Sequence, residues 1–172
     1  MASQSFAPAQ PVTELLEQLN LYFNEPEPVI ICRICQFALS GSIKPLVDHV
    51  VDKHQYSKDS ARELSRLLRP FTILGPKELR LRPDHSPPHP HLFKHLGMMC
   101  KHCGQKTTSV EILRRHLSKE HGVKRKTSTW LRKHGVDGLM LQSWDRNGTY
   151  GYWIVQADPS ASAVSTFWLR SM

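Results

Sequence analysis

The sequence predicts an α+β protein: two small ββα-like modules of Cys2His2 type, joined by a helix and a Pro/His-rich linker, with a C-terminal β-hairpin. Three observations lead there. The four cysteines form two Cys-x-x-Cys pairs, each followed by two histidines: Cys32-x2-Cys35-x13-His49-x4-His54 and Cys100-x2-Cys103-x12-His116-x4-His121. Each histidine pair closes a stretch with helical apolar spacing. Near the end, Asn147-Gly148 separates two short strand-like runs, which is a hairpin signal.

Residues 1–11, rich in Ser, Gln, Ala and Pro, have little to bury and are expected to be disordered. Val12, Leu15, Leu16, Leu19 and Phe23 fall at helical spacing and predict an amphipathic helix over 12–23, broken by the Pro/Glu stretch 24–28. Val29-Ile30-Ile31 is a β-type run that feeds directly into Cys32. A helix capped near Ser42, with Pro45 tolerated in its first turn, then carries His49 and ends near His54. The first module thus occupies 12–56.

A joining segment follows over 57–97. Ser60-Ala61-Arg62-Glu63 reads as a capping box, with Ser57 as an earlier possible start, and Leu64, Leu67, Leu68 and Phe71 give the helix an apolar face. From 75 to 97, five prolines and the histidines His85, His89, His91 and His95 predict an extended linker. Those histidines have no regular spacing and no cysteine, so a third metal site is the weaker interpretation. The second module, 98–124, has a capping box at Thr108-Ser109-Val110-Glu111 and a helix stopped by Gly122. A basic segment and hairpin fill 125–157, with strands over 139–144 and 150–155, and 158–172 is expected to be loose.

The Cys and His spacing is that of structural zinc sites. A Cys-x-x-Cys turn sets two thiolates at one edge of a tetrahedron, and two histidines near a helix end supply the other two donors. The candidate ligands of two Zn2+ ions are therefore Cys32, Cys35, His49 and His54, and Cys100, Cys103, His116 and His121. Leu46 and Leu113 each precede the first histidine by three residues, where a small module needs its core side chain. Four protein donors leave no open position for water or substrate, so neither site is expected to be catalytic. Metal binding worth about 10–16 kcal/mol in comparable peptides should exceed what such small cores supply. A redox or disulfide role for either cysteine pair, and a cross-braced pairing of Cys32/Cys35 with His116/His121, are the competing interpretations.

Charge is unevenly spread. Residues 1–99 carry a net +1, residues 100–134 a net +8 and residues 135–172 a net −1. A basic stripe of this kind is the footprint of a polyanion partner. Lys101, Lys106, Arg114, Arg115, Lys119, Lys124, Arg125 and Lys126 are the candidate nucleic-acid contacts. Sequence-specific readout is disfavoured: the base-facing positions of the two helices hold Ser109, Ile112 and Arg115, and Ser42, Pro45 and Asp48, and only Arg115 suits a guanine edge. The 45 residues between His54 and Cys100 are also far too many for fingers tracking a groove in register. Trp130, Trp144, Tyr152 and Trp153 could stack on bases, although a core role suits them better. Lys124-Arg125-Lys126 with Arg132-Lys133 also fits a nuclear-import patch. No run of about 18 apolar residues and no secretory signal is visible, so a nuclear or nucleocytoplasmic chain is expected.

Taken together, Val29-Ile30-Ile31-Cys32-x-x-Cys35 with His49-x4-His54, and Cys100-x-x-Cys103 with His116-x4-His121-Gly122, resemble a fungal family with two Cys-x-x-Cys/His-x4-His units. That family includes the D protein of the orsellinic-acid biosynthesis cluster. The likeness extends over roughly residues 15–156, because Trp130, Gly135-Val136, Leu141-Gln142 and Tyr152-Trp153-x-Val155 are similar to the family's ending. Members are often longer, and the neighbourhood of their second module varies. The resemblance implies a fungal source and zinc binding, and brings no established activity. The function expected from the residues is a zinc-finger protein that binds nucleic acid, with little sequence preference, through its basic second module. The alternative is a protein-interaction adaptor using the helix at 60–71.

Overall fold

The computed structural model describes residues 10–124 and 129–156. The expected loose tail 158–172 and most of the expected disordered start lie outside this range. The chain is a mixed α+β protein that divides into two compact units. The first takes in the chain up to Leu81 together with His89–Phe93 and Gln142–Tyr152; the second takes in Arg82–Pro88, Lys94–Leu141 and the chain from Trp153. Among the described residues no helix is long and apolar enough to cross a membrane.

In the first unit, α1 (Gln10–Gln18) buries Val12 and Leu16 and is shorter than the apolar spacing predicts. Asn20 adopts a left-handed φ of 54°, which turns the chain out of the helix, and Leu21–Asn24 becomes strand β1. β1 pairs antiparallel with β2 (Val29–Cys32), Leu21 opposite Cys32 and Asn24 opposite Val29, so the Pro/Glu stretch is the turn of a hairpin. Phe23, expected to be helical, lies on this strand because pairing with β2 satisfies its backbone groups. β3 (Phe37–Ala38) completes a three-stranded sheet, and all four residues of β2 are buried.

Helices α2 (Ile43–His54) and α3 (Lys58–Leu68) pack on each other. Ser42 is the N-cap of α2 but makes no side-chain capping bond; the cap of α3 is Ser57, whose hydroxyl accepts from the Ser60 N–H at 3.0 Å. Leu46, Val50, Leu64 and Leu68 join Leu16, Leu21 and Ile30 in one core. The apolar face of α3 is therefore spent inside the unit, and its outward residues are Lys58, Arg62, Arg66 and their neighbours.

Trp144, fully buried, ties the late segment into this unit: its indole N–H donates to the Arg80 carbonyl and its carbonyl accepts from the Ala38 N–H at 2.7 Å. The segment expected to be an extended linker is packed here as well. His89 and Leu92 are buried, held by the side chain of Gln142. Its amide oxygen accepts from the His89 N–H at 2.8 Å, and its amide nitrogen donates to the His89 and Leu92 carbonyls at 2.9 and 2.8 Å.

The second unit has a four-stranded sheet in the order β5-β4-β6-β7, formed by β4 (His95–Cys100), β5 (Lys106–Thr107), β6 (Gly135–Gln142) and β7 (Trp153–Ile154). Helix α4 (Val110–His121) packs on β4 and β5, and a short helix α5 (Trp130–His134) leads into β6. Met98, Cys100, Leu113, Leu117 and Trp130 make a core of five buried residues. Gly97 lets two strands approach, since a Cβ there would strike the Leu141 side chain and lie 2.8 Å from the Thr107 carbonyl oxygen.

The expected hairpin is met in part. Its first strand begins at Gly135 instead of 139 and pairs along its length with β4. The connection is not a two-residue turn: Gly148 is left-handed and Asn147 is not. The loop is built on the Asp145 carboxylate, which accepts from the N–H groups of Asn147, Thr149 and Tyr150 at 2.9, 2.9 and 3.1 Å. These bonds outweigh the burial that would otherwise raise the Asp145 carboxyl, and hold it below its ordinary pKa.

Candidate metal centres

Each unit brings its own two cysteines and two histidines to a point, with the donor atoms of each set within 4.8 Å of one another. In the first, Cys32 ends β2 and the chain turns at once: the Gln36 N–H returns to the Cys32 carbonyl at 2.7 Å, with Gln36 itself left-handed at φ 58°. The Cys35 N–H points at the Cys32 sulfur, 3.4 Å away. On α2, His49 and His54 are five residues apart, and a left-handed Gln55 stops the helix immediately after His54. His54 Nε2 lies 3.2 Å from Cys32 Sγ, 3.3 Å from Cys35 Sγ and 3.2 Å from His49 Nε2.

The second set repeats this plan. Cys100 ends β4, the Gly104 N–H returns to its carbonyl at 2.9 Å, and Gly104 is left-handed at φ 76°. His116 and His121 lie on α4, capped at its start by the Ser109 hydroxyl on the Ile112 N–H and at its end by a left-handed Gly122. The cap therefore sits one residue beyond the Thr108 of the sequence motif. His116 Nε2 is 3.2 Å from both Cys103 Sγ and His121 Nε2. The pairing is local in both units; Cys32 and Cys35 do not meet His116 and His121, so the cross-braced alternative is excluded.

The donor sets fit a dication. With metal–sulfur and metal–nitrogen bonds near 2.3 and 2.0 Å, a tetrahedral ion spaces sulfur and nitrogen about 3.5 Å apart and two nitrogens about 3.3 Å apart, and the observed 3.2–3.3 Å separations are close to this. Burial raises the Cys32 thiol to about 11, the neighbouring Cys35 adding to the effect against the lowering by local N–H groups. A bare thiolate is thus disfavoured there, and a cation held by this donor set would supply the compensating charge. Burial, with His54 and Lys53 nearby, also lowers the His49 pKa, which favours the neutral imidazole a metal needs.

The surroundings differ between the two sets. Around the first, Phe37 meets His49 edge-on at 5.7 Å and Tyr56 lies 6.3 Å from His54, its hydroxyl accepting from the Asn20 amide at 2.8 Å. Around the second, His102 stacks on His121 at 4.8 Å and on His134 at 5.2 Å, with His102 Nε2 and His134 Nδ1 2.9 Å apart. Neither His102 nor His134 was marked by the spacing of the ligands; a histidine inside a Cys-x-x-Cys turn was the available signal. Cys35 is half-buried, whereas Cys103 is exposed.

Among the described residues, these are the two groups able to hold a metal, and the histidines of 75–97 form no third. His89 is a packing residue: its Nδ1 accepts from the His91 N–H at 3.1 Å and its Nε2 faces the Asn24 amide oxygen at 3.3 Å. Of the candidate nucleic-acid contacts, Lys101, Arg115, Lys119 and Lys124 are exposed. The Arg114 guanidinium pairs with Glu111, and Lys106 is mostly buried in an ion pair with Asp84 at 2.8 Å. Arg125 and Lys126 lie outside the described residues. Ile112 is exposed on α4, and Asp48 is paired with Lys44 at 2.6 Å. Trp144 and Trp153 are fully buried and Tyr152 and Trp130 nearly so, which makes them core residues and not stacking faces.

The sequence matches the family model described as orsellinic acid/F9775 biosynthesis cluster protein D over residues 19–122. The chain belongs to this family. Both Cys2His2 sets fall within the matched span, whereas the resemblance noted from Trp130 to Val155 lies beyond it. No curated protein and no solved structure matches the chain.

Proposed function

We propose that the chain is a non-catalytic zinc protein whose two ββα-type fingers each hold a structural Zn2+, and that its second finger binds nucleic acid with little sequence preference in the nucleus. The observation that carries the nucleic-acid reading is the exposure of Lys101, Arg115, Lys119 and Lys124 within one small module, in the segment that holds the whole net charge. Two cysteines and two histidines suit zinc among the divalent ions of a cell, and a closed donor set gives the ion a structural role. Lys/Arg contacts to phosphate supply affinity without reading sequence.

The test is a titration of zinc-loaded protein, its metal content measured by elemental analysis, with labelled duplex and single-stranded DNA and RNA at several salt concentrations. Log affinity should fall with log salt by about 0.9 per duplex phosphate neutralised, and an Arg115/Lys119/Lys124→Ala variant should flatten that slope by about 2–3. Absence of binding at low salt refutes this part of the proposal. One observation favours the adaptor alternative: a hollow of about 570 Å³ between α2 and α3, lined by Val47, Val51 and Ala61, with Asp48 and Asp52 on one wall and Lys58, Arg62 and Arg69 on the other. A partner would meet this polar side of α3, since Leu64 and Leu68 are buried and Leu67 is half-buried against the core.

A further inference from the structure

We infer that the two metal centres are unequal partners: the Cys100/Cys103/His116/His121 centre is an exchangeable site open to anionic chelating ligands, and the Cys32/Cys35/His49/His54 centre is a permanent one. The inference rests on the zinc reading above. Exchange of a closed four-donor ion proceeds when an incoming donor reaches the metal as one protein donor leaves. That requires room beside the ion and a protein ligand free to swing out.

The second centre has both. Cys103 is exposed, and a hollow of about 540 Å³ is lined by three of the four ligands, Cys103, His116 and His121. Arg115 and Lys119 stand in the same wall against one carboxylate, Glu120, which favours entry of an anion. Cys103 follows a two-residue turn and is succeeded by a left-handed glycine, so its release disturbs no regular element.

The first centre is less open. Cys32 is fully buried, as Cys100 is, and Cys35, which also follows a two-residue turn and precedes a left-handed residue, is half-buried where Cys103 is exposed. Among the described residues, four hollows of that unit, beside α1 and β1, between α2 and α3, beside Gly41 and Glu78, and between α1 and Phe71, include none of its four ligands. Cys32 is itself a member of a core of thirteen buried residues, so opening this centre means opening much of the unit; the second centre rests on five. Local opening is cheapest where few apolar contacts are lost.

The consequence is a finger whose fold, and with it the cationic α4, follows the supply of metal, while the first unit stays folded. Full-length protein loaded with two equivalents of zinc and mixed with excess 4-(2-pyridylazo)resorcinol should release metal in two steps of one equivalent. The first step should be faster by about ten-fold or more. Amide NMR spectra of the same sample identify the centre without mutation. The Gly104 and Gly122 signals should move or vanish with the first equivalent, and those of Gln36 and Gln55 only with the second. Simultaneous release, or loss of the Gln36 and Gln55 signals first, overturns the inference. Nucleic-acid binding measured after the first equivalent should be lost. If the fully loaded protein never binds nucleic acid, the proposed function fails, and the order of release still decides between exchangeable and permanent centres.

Discussion

Gln142 is a fully buried polar side chain whose three hydrogen bonds all go to the backbone of residues 89–92, so its replacement by an apolar residue of similar shape has a cost that can be worked out in advance. In Gln142→Met the His89 N–H and the Leu92 carbonyl lose their side-chain partner. The His89 carbonyl keeps a longer bond from the Leu92 N–H at 3.3 Å. An orphaned buried group costs about 1–3 kcal/mol, and burying the methionine returns about 1.5–3 kcal/mol. The net loss should be about 2 kcal/mol. Denaturant unfolding of metal-saturated protein measures it, and hydrogen exchange at the His89 amide locates it. A loss below about 1 kcal/mol, with the His89 amide exchanging as slowly as before, would mean that the Gln142 bonds are not what holds this segment, and the reasoning would fail.

Two further outcomes follow from the geometry. Gly97→Ala should overpack the contacts of β4 with β5 and β6 and cost the second unit about 1–3 kcal/mol, read as a lower unfolding midpoint, because the rigid Thr107 carbonyl of β5 cannot yield as the Leu141 side chain of β6 can. Asp145→Ala should cost about 1–3 kcal/mol through its lost backbone bonds. Its folded pKa is depressed, so this stabilisation is present above the ordinary carboxylate value near 4 and fades only as the pH falls through the lower folded one. The penalty should therefore be equal at pH 7 and pH 5; one that shrinks by pH 5 would point to a raised carboxyl.

What the sequence disclosed about this protein depended on distance along the chain. The ligand sets were legible because a Cys-x-x-Cys turn and a His pair on one helix are local geometry, and Leu46 and Leu113 lie in the cores where their spacing put them. The first helix is shorter than its spacing predicts because Leu19 and Phe23 continue a helical pattern, while β1 exists only through its pairing with β2. Strand β4 and the packing of His89 were hidden for the same reason. Their partners, β6 and Gln142, lie about 40 to 50 residues away, and a proline-rich stretch looks the same whether it is solvated or pinned. Lys106 was indistinguishable from the exposed lysines until Asp84 stood beside it.

The return of Gln142–Tyr152 to the first unit bears on how the chain is made. A protein emerging from the ribosome presents Cys32, Cys35, His49 and His54 early. The Ala38 N–H must nevertheless wait for the Trp144 carbonyl, and the cavity that this indole fills stays empty until more than a hundred further residues have been added. The early centre is thus finished late, after the second module has emerged. A fragment ending at Gly122, though it contains every ligand, should behave as an unfinished translation product, with one sheet edge unpaired and a tryptophan-sized gap beneath it.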